Sequence, residues 1–319
     1  MSKSRLTTAL NEGLLDLPSG AIRVMRPTAG YDLSALPRDL VRVDTGFKPD
    51  ATVWENAGYV LSSESAPITL VVLPRAKKLA RAMVAEAAKQ GLVIIDGQKT
   101  DGVDSIYKDC RKVLGDLPCV TKSHGRLFWF DGANQFADWA VGDPEKGPHG
   151  YFTTAGVFSD GEIDRGSKLL VDCLPDKLPK RMADFGAGWG YLSAAVLHNP
   201  AVQSIDLIEA EQAALDCARL NVVDDRASFH WADATTWKSD GYAGIIMNPP
   251  FHTGRDATPA LGRAFIANAA KNLLASGQMW MVANRHLPYE AALREYFRNV
   301  DEIGGDGAFK VFHATRPIR

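Results

Sequence analysis

From residue 181 onward, short apolar runs bounded by turn residues alternate with stretches whose apolar positions recur at helical spacing. Residues 181–185, 204–208, 227–231, 242–247 and 278–283 read as strands, and 308–314 as a strand-like tail. Helix-compatible segments separate most of them, and 257–275 and 288–299 read as amphipathic helices. Such alternation predicts an α/β fold built on a parallel sheet.

The segment 141–150 is rich in Gly, Pro and charge and continues neither a helix nor a strand, so it predicts a boundary between domains 1–145 and 146–319. The two halves share an internal pattern. Ala82–Lys89 matches Ala264–Lys271, and the same offset pairs Tyr107 with Tyr289, Gly125 with Gly307 and Phe130 with Phe312. Coincidence in an alanine-rich helix explains one such match less strainedly than three. A duplicated domain is expected, with Val71–Pro74 in the place of Ile246–Pro249 and hence Leu73 where the second copy has Asn248.

Composition narrows the class. The 319 residues are 46% hydrophobic, enough for a packed core. Lys and Arg number 36 against 38 Asp and Glu, so bulk charge cannot hold a nucleic acid and any RNA partner needs a local patch. The slight basic excess lies in residues 1–150, with 19 basic and 18 acidic side chains against 17 and 20 in the remainder. Four cysteines without C-x-x-C or zinc spacing read as reduced thiols, and no metal site is expected. With no leader pattern at the start and no bilayer-length apolar run, a soluble cytoplasmic protein with no membrane partner is expected.

The candidate chemistry begins at Ala183–Leu192, where a strand ends at Asp184 and passes through Gly186, Gly188 and Gly190 into a helix. Glycines there let backbone approach a ligand. Any tight strand-to-helix turn in an α/β protein can look the same. Glu209, 19 residues past Gly190 at the end of the next strand, is placed to take both hydroxyls of a ribose. The spacing G-x-G-x-G differs from the dinucleotide pattern, and Asp184 would repel a pyrophosphate while suiting an ammonium group. S-adenosylmethionine is therefore the expected cofactor rather than NAD.

Asn248-Pro-Pro-Phe-His252 follows the strand 242–247 directly. Asn-Pro often does no more than open a turn. At the carboxyl end of a strand in an open sheet, however, it occupies the ligand-binding edge. The Asn248 side-chain oxygen and the Pro249 carbonyl can both accept from an exocyclic amine, and Phe251 can stack on the ring that carries it. Asp233, after the third strand, is a candidate acceptor for an adenine amino group; a lone Asp more often closes a turn.

In this order the glycine loop, Glu209, Asp233 and Asn248–Phe251 resemble the class I S-adenosylmethionine-dependent methyltransferases of exocyclic amines. Phe158–Leu170, the extended Asn248–Gly254, Ala283–Tyr289 and Gly307–Val311 are similar to the bacterial ribosomal RNA guanine-N2 methyltransferases. That resemblance implies two tandem Rossmann-like domains, a degenerate substrate-handling copy and a catalytic carboxyl-terminal one, with ribosomal RNA or a ribosomal subunit as partner. Trp189 departs from the family pattern by placing a bulky side chain inside the glycine loop. His252 is a candidate substrate contact or a support beside the site. Lys310 reads as an RNA or guanine contact or as a solvated strand-edge lysine. Arg75 and Lys78, within the cluster Arg75, Lys77, Lys78 and Arg81, are candidate RNA contacts. Two other readings stay open: a methyltransferase of protein glutamine or DNA adenine, and an RNA-binding scaffold with a silent methyltransferase fold.

Overall fold

The structure is a computed structural model and describes residues 4–158, 162–250, 252–253, 256–257 and 259–318. The chain divides into two compact units, 1–143 and 144–319, two residues ahead of the boundary expected from composition.

In the first unit, β1 (Ile22–Met25), β2 (Val41–Asp44), β3 (Val60–Leu61), β4 (Ile68–Val72), β5 (Gly91–Gln98), β6 (Cys119–Lys122) and β7 (Gly125–Gly132) form a sheet in the order β3-β2-β1-β4-β5-β7-β6. In the second unit, β8 (Arg181–Phe185), β9 (Ser204–Glu209), β10 (Ala227–Trp231), β11 (Tyr242–Met247), β12 (Leu273–Asn284), β13 (Phe297–Gly305) and β14 (Phe309–Pro317) form another in the order β10-β9-β8-β11-β12-β14-β13. Neighbours are parallel except around β7 and β14, which run antiparallel to both strands beside them. The two orders are identical position by position, so the internal repeat is one topology used twice.

Helices cover both faces of each sheet, as parallel strands require. In the first unit, α1 (Arg5–Asn11) and α2 (Lys48–Asn56) pack on one face, α3 (Lys77–Ala87) and α4 (Val103–Leu114) on the other. In the second, α5 (Arg165–Asp172), α6 (Tyr191–Leu197) and α7 (Gln212–Asn221) oppose α8 (Pro259–Asn272) and α9 (Tyr289–Tyr296). Ile245 and Met247 bury toward α8 while Ile246 buries toward α6, which is why the strand reads as an unbroken apolar run.

The matched segments fall on equivalent elements: 82–89 on and just past α3 and 264–271 on α8, Tyr107 on α4 and Tyr289 on α9, Phe130 on β7 and Phe312 on β14. The expected exchange at the reacting position shifts by one residue. Met25 precedes a left-handed Arg26 (φ 58°), whose N–H donates to the Asp44 carbonyl at 2.6 Å; Phe185 precedes a left-handed Gly186 (φ 76°), whose N–H donates to Ile208 at 2.8 Å. Met25 pairs with Val71, and Asp184 pairs with Ile246. Val71 is thus the counterpart of Met247, and Val72, not Leu73, stands where Asn248 does. Leu73 buries toward α3 and α4, on the opposite face, since a one-residue slip reverses the side of a strand.

The helix expected at 288–299 ends at Tyr296, and Phe297–Gly305 is an edge strand. Its apolar residues at 297, 300 and 303 mimic a helical period because only one side of this strand is paired.

In the first unit the buried Arg5 donates from Nε to Asp96 at 2.6 Å, and the Tyr31 hydroxyl donates to the other carboxylate oxygen at 2.7 Å. This ties α1 to the end of β5. Asp96→Ala leaves the guanidinium buried without its partner, and we expect it to lower the unfolding free energy of this unit by about 3–5 kcal/mol. Urea denaturation checks this; a loss below about 1 kcal/mol would make the pair dispensable.

Candidate active site

Strand order reverses between β8 and β11, the switch point at which open sheets bind ligands beyond their carboxyl ends. Asp184 and Ile246 are partners across that rung, so Gly186 and Asn248 each lie two residues past it on neighbouring strands. The structure therefore brings together the two segments that the sequence marks as reactive.

The three glycines of the loop answer three different needs. Gly186 takes a left-handed conformation and its N–H closes onto β9. Gly188 (φ 55°) donates its N–H to Glu209 Oε2 at 2.7 Å, and a Cβ there would meet nothing within 4 Å, which leaves open space over the backbone. Gly190 (φ 93°) caps α6 and packs against α7, where a Cβ would lie 2.8 Å from Val222. Glu209 Oε1 accepts the Glu211 N–H at 2.8 Å. Burial raises the Glu209 carboxyl above its ordinary range, opposed by these two N–H donors.

Asp184 lies beneath the loop and has no exposed surface. One carboxylate oxygen accepts from Ser193 Oγ at 2.7 Å and the other has no hydrogen-bond partner among the described residues. Burial pushes this carboxyl up to about 7, against the Ser193 hydrogen bond. Asp233 closes a turn, its Oδ1 accepting the Thr235 N–H at 2.8 Å and the Thr235 hydroxyl at 2.6 Å. Trp189 is only 4% exposed, turned into an aromatic cluster with Tyr151 and Tyr191 at centroid distances of 4.9 and 5.7 Å. Its indole N–H donates to the Phe158 carbonyl at 3.1 Å, so its bulk serves the packing of residues 151–158 onto α7.

Asn248 donates both amide hydrogens, to Asp164 Oδ1 and to Ser167 Oγ, each at 2.8 Å. Its own oxygen is buried and accepts no hydrogen bond among the described residues. Pro249 is buried and Pro250 exposed. Phe251 lies outside the described residues, and of His252 only the backbone is described, paired with Ala257 in a short hairpin. Asp164 and Ser167 received no role from the sequence, although they lie in a motif it singles out; the signal was their position in Phe158–Leu170, and the contact itself spans more than 80 residues of chain.

Lys310 departs from its expected setting. β14 is an inner strand, with Ala283 and Gly305 on either side of Lys310, and the side chain is largely buried in an ion pair with Glu290 of α9. It is no strand-edge lysine. In the first unit, Lys77 and Arg81 are held by Asp109 of α4, at 3.7 and 2.6 Å. Arg75 and Lys78 are exposed just past the carboxyl end of β4 and make no ion pair among the described residues. Also among the described residues, no group of three or more His, Cys, Asp or Glu is placed to hold a metal, and no helix is long and apolar enough to cross a membrane.

Residues 150–313 match the methyltransferase small domain. The chain is 30% identical over 271 residues to the ribosomal RNA small subunit methyltransferase C of Shewanella pealeana (strain ATCC 700345 / ANG-SQ1), covering 80% of this chain and 79% of that protein. The enzyme of the same name from Shewanella sp. (strain MR-4) is 31% identical over 258 residues, covering 76% and 75%. Among solved structures, a T. thermophilus 16S rRNA guanine-N2 methyltransferase in complex with AdoMet and guanosine superposes with a TM-score of 0.80 at 20% identity, over 97% of this chain and 91% of that one.

The buried Asp184 carboxyl couples stability to pH. Its proton is held in the folded state up to about pH 7 but lost near pH 4 on unfolding, so its contribution falls as pH rises between those values. Asp184→Asn removes this titration. Relative to wild type, the variant should gain roughly 2–3 kcal/mol of unfolding free energy between pH 5 and pH 8. Denaturation of both proteins at the two pH values measures the gap; an unchanged gap would mean that Asp184 ionises normally.

Proposed function

Because the chain belongs to the methyltransferase small-domain family, and within it to the ribosomal RNA small subunit methyltransferase C group, we propose that it methylates the exocyclic N2 amine of a guanine in small-subunit ribosomal RNA, using S-adenosylmethionine. The observation that carries this reading is the buried, unpartnered Oδ1 of Asn248 at the switch point beside the glycine loop. An acceptor held out of water without a donor is costly, and an incoming amine relieves that cost.

S-adenosylmethionine supplies the electrophilic methyl group when bound. The open space over Gly188 admits such a ligand against backbone, and Glu209, fixed by the Gly188 and Glu211 N–H groups, has lone pairs left for ribose hydroxyls. Asp184 supports the loop from beneath through Ser193, a role distinct from direct contact with an ammonium. Asp233 retains one carboxylate oxygen outside its turn bonds for an adenine amine. Asn248 Oδ1 and the Pro249 carbonyl each accept one N–H of the guanine amine, which leaves the nitrogen lone pair free and aimed. The roles expected for Phe251, stacking on the base, and His252, flanking it, fall outside the described side chains. The methylated amine loses its surplus proton to water, so the rate rests on positioning rather than on a side-chain base.

The first unit repeats the scaffold without the site. Val24 stands for Asp184, Arg26 for Gly186 and Val72 for Asn248, which removes the cradle and the acceptor together. Its task in this reading is to hold RNA, with Arg75 and Lys78 on phosphates and Lys310 kept for the ion pair that positions α9. The cytoplasm, where ribosomal subunits assemble, is the expected compartment.

Incubation with labelled S-adenosylmethionine and separated ribosomal subunits, followed by mapping of the methylated base, tests the activity. In single turnover, Asn248→Ala should slow methyl transfer by roughly two orders of magnitude or more while cofactor affinity changes little. Near wild-type guanine-N2 methylation by this variant would reduce Asn248–Phe251 to a turn. Charge removal in the first unit should behave differently: Arg75→Gln with Lys78→Gln should weaken RNA binding uniformly across sequences and make its salt dependence shallower by roughly 1–2 in log–log slope. An unaltered slope would take both residues off the RNA.

A further inference from the structure

An amide side chain is nearly symmetric in shape, so Asn248 can present either its oxygen or its NH2 group to the reacting amine unless its neighbours discriminate. Only the oxygen is productive. Turned round, the NH2 group would face another donor and could draw on the lone pair that has to attack. Ser167 cannot set the polarity, because a hydroxyl either donates or accepts. Asp164 can, since its carboxylate only accepts.

The surrounding geometry is built for this contact. Asp164 is the N-cap of α5, and its Oδ1 accepts the Ser167 N–H at 2.8 Å as well as the Asn248 amide hydrogen at 2.8 Å. Helix start and reacting amide thereby share one oxygen. Ser167 is 7% exposed, and its hydroxyl takes the second amide hydrogen. Gly166 lies between them, where a Cβ would approach Asp164 Oδ1 to 3.1 Å and the Phe309 ring to 3.0 Å. The order Asp164-Arg-Gly-Ser167 thus provides a fixed acceptor, clearance and a second acceptor in the first turn of one helix.

We propose that Asp164 and Ser167 are positioning residues for methyl transfer: they take both amide hydrogens of Asn248 and so fix its carbonyl oxygen toward the substrate amine. This rests on the reading of Asn248 given above. Neither residue touches substrate; both act through Asn248.

A double-mutant cycle on the full chain tests it, because residues acting only through Asn248 lose their effect once Asn248 is gone. Asp164→Ala should lower the single-turnover rate on ribosomal RNA at least tenfold, with KM for RNA and the dissociation constant for S-adenosylmethionine within about twofold of wild type. In the Asn248→Ala background the same change should alter the rate less than twofold. Asp164→Asn, which keeps an acceptor oxygen in place for both bonds, should restore most of the activity. Ser167→Ala leaves the helix cap intact and is carried through the same cycle, which keeps the test decisive if Asp164→Ala does not fold. A wild-type rate in Asp164→Ala and Ser167→Ala, with Asn248→Ala inactive, overturns the proposal and leaves the role of Asn248 standing. Equal losses in both backgrounds also overturn it, since they place the effect in the helix cap or the cofactor site. Near wild-type transfer by Asn248→Ala removes the reading of Asn248 and the proposal with it.

Discussion

The parallel pairing of β8 with β11 is the constraint from which the site follows. Because Asp184 and Ile246 share a rung, the glycine loop and Asn248 leave the sheet at the same level on adjacent strands, whose spacing is about 4.8 Å. A slip of one residue would turn Asn248 away from α5 and bury it against α8, where Ile245 and Met247 pack. Register here is specified by burial on both faces: Ile246 and Val282 belong to the α6 side, Met247 and Met281 to the α8 side. The cores that hold the fold together therefore also set the distance between the two halves of the site.

The first unit shows what that scaffold looks like once the site is removed. Strand order, the antiparallel seventh strand and even the left-handed residue after the first core strand are kept. Gly186 is replaced by Arg26 in a conformation that disfavours side chains, which indicates that the backbone path is fixed by the sheet and the N–H to Asp44 rather than by the residue occupying it. At the Asp184 position Val24 is fully buried and carries no desolvation cost. The buried carboxyl at 184, shifted up to about 7 and with one unpartnered oxygen, is a cost of the second copy alone.

Much of the second unit was legible in the sequence because burial on both faces writes a strand as an uninterrupted apolar run. The ends of β8, β9 and β11, at or just past which Asp184, Glu209 and Asn248 lie, could be read from the turn residues that follow them. What escaped depended on three dimensions. Phe297–Gly305 carries a helical-looking spacing because an edge strand has little to pack against. Lys310 reads as solvated until β13 covers it. Trp189 looks like an obstruction in a ligand loop, yet its direction is set by Tyr151, Tyr191 and the Phe158 carbonyl, none of which can be placed by spacing. Leu73 was off by one residue because a gapped repeat fixes order but not face.

The charge distribution gives the duplication a physical rationale. Asp164, which holds Asn248, Glu209, which holds the Gly188 N–H, and Asp233, just past β10, all lie at the carboxyl end of the second sheet, and residues 151–319 carry 20 acidic against 17 basic side chains. These carboxylates are needed where they are, to order a loop, cap α5 and accept hydrogen bonds, and none can be exchanged for a cation without losing its bond. An RNA substrate is repelled by that same end of the unit, and within a Debye length of about 8 Å at physiological salt the repulsion is not screened away. The first copy, which has Val24, Arg26 and Val72 at the positions of Asp184, Gly186 and Asn248, has no such requirement. In it the carboxyl end of β4 is followed by Arg75 and Lys78 in the open, and the acidic position at 184 has become valine. Separating the acceptor chemistry from the exposed basic charge lets each be optimised on the same scaffold without the other's penalty.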